Sequence, residues 1–208
     1  MGRSVVMVGD SITDSDRPRR TEGLGDGWVS LAAAALRTRG DDAVVFNRGV
    51  SGDRVQDLRA RWRTDVIDLH PAVLTVLVGV NEAWRRYEDD DPVSPEAFEA
   101  DYRAILAEAM VDSSPRLILM EPFLTAADGS RAHWREDLDP RRAVVARLAA
   151  ELDATFVPLQ SILDDAARVH GPAALAPDSV HPSALGAQVL ARAWLTAYGP
   201  DLRPGHAR

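Results

Sequence analysis

Val5-Val6-Met7-Val8-Gly9-Asp10-Ser11-Ile12-Thr13-Asp14 decides how this chain is read. Four apolar residues in a row predict a buried strand over about residues 4–8. Gly9 breaks it, and Ser11 sits where the chain turns into a helix. A hydroxyl at a strand–turn–helix edge is well placed for nucleophilic attack: the backbone there is fixed, and the helix start offers free N–H groups. The commonest role of a lone serine at such a turn is helix capping. To act as a nucleophile it needs a base, usually histidine, and donors for a developing oxyanion.

Further apolar runs repeat the pattern. Strands are expected at 44–47, 73–78, 117–120 and 155–157, each separated from the next by helical spacing. Such alternation predicts an α/β chain, a three-layer α/β/α sandwich around a flavodoxin-like five-stranded parallel sheet. Trp28 to Arg39 reads as a helix stopped by Gly40, after a polar, glycine-containing loop at 15–27. Asp53 is the expected cap of a helix whose apolar positions are Val55, Leu58, Trp62, Val66 and Leu69. The charged residues 85–93 read as a solvated loop. Ser94-Pro95 starts a helix with Phe98, Tyr102, Ile105, Leu106 and Ala109 inward. A loop at 123–138 precedes a cap-and-proline start at Asp139-Pro140, and a further helix covers about 160–169. Residues 177–182 hold two prolines and cannot be helical throughout. Ser183 caps the last helix. Residues 1–200 are expected to form one domain, with 201–208 as a tail.

Composition narrows the function. A chain of 208 residues is long enough for a full core, and 46% hydrophobic with 27% charged residues is ordinary for a globular protein. There is no cysteine, hence no thiol nucleophile, disulfide or thiolate metal site. The net charge of −8 argues against nucleic acid and anionic membrane surfaces as partners. No apolar run reaches the ~18 residues of a membrane span. No signal-peptide pattern precedes Val5, which predicts a cytoplasmic protein.

In an open parallel sheet, ligands bind beyond the carboxyl ends of the strands. Those ends carry Gly9-Asp10-Ser11, the glycine-bracketed turn Gly49 to Gly52, Asn81, and Glu121-Pro122. Asn81 offers an amide donor, and Gly52 a backbone N–H that can approach a ligand closely. Asp178 and His181, three apart, form a carboxylate that can orient an imidazole. Each has a plain alternative as a turn, loop or capping residue. Asp10, Trp28, Trp84 and Trp134 flank the motif turns and are candidate substrate contacts, the tryptophans as apolar platforms. Trp62 and Trp194 lie on helical apolar faces and read as core. His133 reads as solvent-exposed. The carboxylates Asp10, Asp14 and Glu82 read as loop-bonding rather than metal-binding, so no metal is expected.

Taken together and in this order, Gly9-Asp10-Ser11, Gly52, Asn81 and Asp178-x-x-His181 resemble the four blocks of the SGNH hydrolases, also called the GDSL esterase/lipase family. The resemblance spans residues 5 to about 198. The Gly-x-Ser-x-Gly elbow of other serine hydrolases is absent around Ser11. Residues 47–62, Gly25-x-Gly27-Trp28-Val29, Gly79-Val80-Asn81-Glu82-x-Trp84-Arg85 and Val180-His181-Pro182-Ser183 look like bacterial GDSL acetylxylan esterases and related carbohydrate deacetylases. The third block usually reads Asn-Asp, and here it is Asn81-Glu82.

The resemblance implies a catalytic Ser11, Asp178 and His181, with an oxyanion hole from Ser11, Gly52 and Asn81. It implies an intracellular esterase for acetylated saccharides that needs no cofactor and self-associates. A lysophospholipase or thioesterase on the same frame, or a catalytically silent carbohydrate-binding protein, are the competing expectations.

Overall fold

A computed structural model describes residues 2–20, 22–127 and 129–199. The expected tail at 201–208 lies outside the described residues. The elements are β1 (Ser4–Gly9), α1 (Ser11–Asp14), α2 (Trp28–Thr38), β2 (Val44–Gly49), α3 (Val55–Asp65), β3 (Val73–Leu77), α4 (Val80–Glu88), α5 (Pro95–Asp112), β4 (Arg116–Met120), α6 (Arg135–Glu151), β5 (Thr155–Val157), α7 (Leu159–His170), α8 (Pro172–Leu175) and α9 (Ala184–Tyr198). The sheet is parallel throughout, in the order β2-β1-β3-β4-β5. β1 therefore has a strand on either side, and the chain reverses its direction of travel across the sheet beside it. A crevice at the strand ends is expected there.

Strand alternation feeds two cores. Val5, Met7, Val73, Leu77, Ile118 and Met120 face α2, α7 and α9. Val6, Val8, Leu74, Val76, Leu117 and Leu119 face α3, α5 and α6. Because both faces are covered, the strands read as unbroken apolar runs. Trp62 is 1% exposed and Trp194 is fully buried, as their helical spacing predicts. Ser94 and Ser183 cap α5 and α9, accepting hydrogen bonds from Ala97 N and Gly186 N.

Three local expectations fail. Asp53 does not cap α3: Arg54 holds the cap position, its N–H donating to Asp57 Oδ2 at 2.9 Å, while Asp53 pairs with Arg61 at 2.7 Å. The charged stretch from 85 is helical to Glu88, because α4 extends through it. Its length is supported by an Arg85–Asp89 pair one turn apart and by Tyr87 stacked on Trp134. α6 begins at Arg135 and takes Pro140 into its interior. Its first turn is anchored instead by Asp137, 3% exposed, which pairs with Arg86 at 2.8 Å and with Arg141 at 2.7 Å. Among the described residues no helix is long and apolar enough to cross a membrane.

One polar contact crosses the first core: Trp194 Nε1 donates to Thr75 Oγ1 at 2.9 Å, and both residues are fully buried. Trp194→Phe leaves that hydroxyl without its partner and should cost about 1–3 kcal/mol in urea unfolding. Adding Thr75→Val should recover part of the loss. A double variant no better than the single one would mean that ring packing, and not the hydrogen bond, is what matters there.

Candidate active site

The site forms where α1 leaves β1. Asp10 caps α1, its Oδ1 accepting Ile12 N at 3.0 Å, and Ser11 is the first helical residue. Gly49 lets this turn sit down on the end of β2: a Cβ there would lie 2.1 Å from Asp14 N. Asn47 locks the approach. Its Nδ2 donates to Thr13 O at 2.7 Å and Leu24 O at 2.9 Å, and its Oδ1 accepts Gly49 N at 2.8 Å.

Across the crevice, 177–182 delivers the other groups. Ser11 Oγ and His181 Nε2 are 2.9 Å apart, and His181 Nδ1 and Asp178 Oδ2 are 2.6 Å apart. The other oxygen of Asp178 accepts His181 N at 2.7 Å and Val180 N at 3.0 Å. Burial raises the Asp178 pKa, but the hydrogen bonds from the His181 side chain and from these two backbone N–H groups outweigh it. The carboxyl therefore ends below its usual range, ionised at neutral pH.

The loop after β2 reaches the same crevice. Gly52 turns with φ +88°, a conformation that suits glycine. Asn81, in the first turn of α4, is 7% exposed, and its Nδ2 donates to Asp53 O at 2.9 Å. That bond uses one amide hydrogen and orients the second. Ser11, Gly52, Asn81 and His181 line a single cavity of about 350 Å³. A second, of about 410 Å³, opens by Ser11 and His181 and is lined by Ser15, Asp16, Asp26 and Ser183.

Of the substrate contacts expected from sequence, Trp84 alone belongs to a cavity beside Ser11. Trp28 is 1% exposed, its ring centroid 6.4 Å from that of Trp194, so it is core and not a platform. Trp134, also 1% exposed, packs edge-on against Trp84 at 5.4 Å. Asp10 is 1% exposed, lines neither cavity beside Ser11 and turns inward as the α1 cap, so it is not a substrate contact. His133 packs its ring on Tyr87. Among the described residues no group of three His, Cys, Asp or Glu is arranged to hold a metal.

Asp14 and Glu82 bond loops, as expected of carboxylates at these strand ends, whereas Arg131 positions the site with no sequence signal of its own. Asp14 Oδ2 accepts both the N–H and the hydroxyl of Ser51, at 3.1 and 2.8 Å, and so ties the Ser11 turn to the residue before Gly52. Arg131 donates to Asp178 O at 2.9 Å, its guanidinium lying 5.0 Å from the ring centroids of both Trp84 and Trp134. Glu82 is fully buried and accepts Val55 N at 2.9 Å, which fixes α3 beside the Gly52 loop.

Burial pushes the carboxyls of Glu82 and Asp10 up to about 7, and the charge of Glu82 adds to the effect on Asp10. The unfolded chain gives up these protons near the ordinary carboxylate pKa, well before the folded chain does. The folded state thus binds more protons between about pH 4.5 and 7, and stability falls across that window and levels off above it. Glu82→Gln keeps an acceptor for Val55 N and removes the ionisation. The variant should therefore gain on wild type by on the order of 1 kcal/mol or more between pH 5 and pH 8, read from urea midpoints. Parallel pH profiles for the two proteins would show that Glu82 ionises freely in the fold.

The sequence matches the GDSL-like Lipase/Acylhydrolase family over residues 7–189. An acetylxylan esterase from Geobacillus stearothermophilus is 34% identical over 208 residues, covering 95% of this chain and 94% of that protein. The crystal structure of Axe2, an acetylxylan esterase from that organism, has a TM-score of 0.87 at 33% identity and covers 95% of this chain and 94% of that one. A GDSL-like protein from Parabacteroides merdae has a TM-score of 0.90 at 31% identity, covering 96% and 97%. Catalytic mutants of Axe2, with a serine, an aspartate or a histidine changed to alanine, have a TM-score of 0.86 at 32% identity, covering 96% of both chains. The aspartate and histidine changed there are three positions apart, as Asp178 and His181 are here. The chain belongs to the GDSL-like lipase/acylhydrolase family and is a carboxylic ester hydrolase.

Proposed function

We propose that this protein removes acetyl groups from acetylated saccharides through an acyl-enzyme on Ser11. The observation that carries the mechanism is the series Ser11 Oγ, His181 Nε2, His181 Nδ1, Asp178 Oδ2, with contacts of 2.9 and 2.6 Å. Ser11 attacks the ester carbonyl while His181 takes its proton. The oxyanion is held by the backbone N–H groups of Ser11 and Gly52 and the free amide hydrogen of Asn81. His181 then gives the proton to the departing alcohol, Asp178 holding the imidazole in the required tautomer throughout. Water, deprotonated in turn by His181, releases acetate and restores Ser11. No step calls for a metal or organic cofactor.

The shapes around Ser11 favour a short acyl group. Both cavities that include it are lined largely by polar side chains. The one apolar groove among the cavities described, about 570 Å³, lies along β5 between α7 and α9 and includes neither Ser11 nor His181. The large apolar groove thus does not lead from the nucleophile, and the apolar residues beside Ser11, Trp84 in one cavity and Pro182, Ala184 and Ala187 in the other, offer a long acyl chain only small patches, which speaks against the lysophospholipase and thioesterase readings. The saccharide leaving group follows from the relatives' substrate and from Trp84 beside the nucleophile. Cytoplasmic action and self-association belong to the same proposal and rest on the resemblance to intracellular deacetylases.

A series of p-nitrophenyl esters tests the acyl half of this reading. The acetyl ester should exceed the octanoyl ester in kcat/KM by about tenfold or more, and Ser11→Ala should abolish turnover of both. A preference for octanoyl would overturn the acetyl assignment. Near-wild-type turnover by Ser11→Ala would remove Ser11 as nucleophile.

A further inference from the structure

The 350 Å³ cavity beside Ser11 has a wall that the hydrolytic steps above do not use: Trp84, Arg85 and Asp89, all on or just after α4. Arg85 Nη1 donates to Asp89 Oδ2 at 2.8 Å, so the two side chains are presented as one unit. Arg85 Nη2 is turned toward the oxyanion loop, 3.7 Å from where a Cβ on Gly52 would stand. Both side chains are a little under half exposed, at 44% and 45%. An ion pair in such a setting contributes little to stability beyond its modest support of α4, so both groups can turn to a ligand at small cost.

The departing alcohol fixes what this wall meets. Its oxygen must come within hydrogen-bond reach of His181 Nε2 to receive the proton. The Trp84 ring lies edge-on to His181 with centroids 5.9 Å apart, so the alcohol leaves beside Trp84. A sugar ring there can lay its C–H face on the indole while its hydroxyls project from the ring edge. Directly after Trp84 stands the guanidinium of Arg85, which only donates, and one turn further the carboxylate of Asp89, which only accepts. Adjacent hydroxyls answer both, one oxygen accepting from Arg85 and one O–H donating to Asp89.

We propose that Arg85 and Asp89 are specificity-determining residues that bind vicinal hydroxyls of the sugar bearing the scissile ester, with Trp84 beneath its ring. The proposal rests on the saccharide reading above and gives that reading its recognition surface. It also explains how an open, polar site selects its substrate: through the alcohol, the acetyl group being too small to carry much binding energy.

The test compares kcat/KM on a methyl 2-O-acetyl-xyloside, which keeps vicinal hydroxyls at C3 and C4, with kcat/KM on p-nitrophenyl acetate, in wild type, Arg85→Met and Asp89→Asn. In each variant the ratio of saccharide to p-nitrophenyl ester should fall about tenfold or more, chiefly through KM, because a charge-assisted hydrogen bond to the sugar is lost. A ratio within about twofold of wild type in both variants overturns the proposal and leaves the saccharide reading standing. Wild type that cleaves p-nitrophenyl acetate but releases no acetate from the saccharide overturns both.

Discussion

The site depends on the close seating of α1 on the end of β2. Gly49 has no side chain to hold the two apart, and Asn47 bonds to the carbonyls of Thr13 and Leu24 from beneath. This places Asp14 against Ser51, which ties the oxyanion loop to the nucleophile turn. Two further ties come from α4: Asn81 reaches Asp53 O and Glu82 reaches Val55 N. The Gly52 loop is thus bonded on one side to the element that carries the nucleophile and on the other to the element that carries the amide donor. Donors that must meet a developing oxyanion act best when already fixed, because the reaction then does no work to orient them.

The same seating brings carboxylates together. Asp10 and Glu82 are buried close enough to feel each other's charge, and Asp10 Oδ2 and Glu82 Oε2 have no hydrogen-bond partner among the described residues. Each holds a backbone N–H at the start of a helix, of α1 or of α3, with its other oxygen. The structure therefore accepts an electrostatic cost at two helix N-termini to fix the loops that build the site. Local strain and unfavourable burial are expected to gather where positioning matters more than stability. Arg61 offsets part of the charge nearby, pairing with Asp53 at 2.7 Å while donating to Gly9 O at 3.2 Å.

Much of the architecture was legible because its signals are local. Buried parallel strands are short apolar runs, and the caps at Ser94 and Ser183 act within three residues. Asp178 and His181 were legible as a pair for the same reason: the turn that joins them spans three positions and bonds to itself. What was not legible depends on partners far along the chain. Charged residues 85–88 look like loop until Trp134 is found beneath Tyr87, and Asp139-Pro140 looks like a helix start until Arg86 and Arg141 are found on Asp137. The partners of Asp14 and Arg131 lie 37 and 47 residues away, and no spacing rule reports those.

The tryptophans show how far residue type alone can carry an argument. Trp28, Trp84 and Trp134 stand near the motif turns in sequence and were equivalent as candidate platforms. In the fold, Trp28 supports α2 against α9, and Trp134 supports Trp84 from behind. Only Trp84 combines a place in the cavity wall with contact to His181. Arg131 lies over both Trp84 and Trp134 and bonds the backbone of Asp178. The aromatic surface at the site and the loop that carries the imidazole are therefore braced by one guanidinium. A substrate pressed on Trp84 bears on the same assembly that aims His181, so binding of the alcohol and transfer of its proton share a single rigid support.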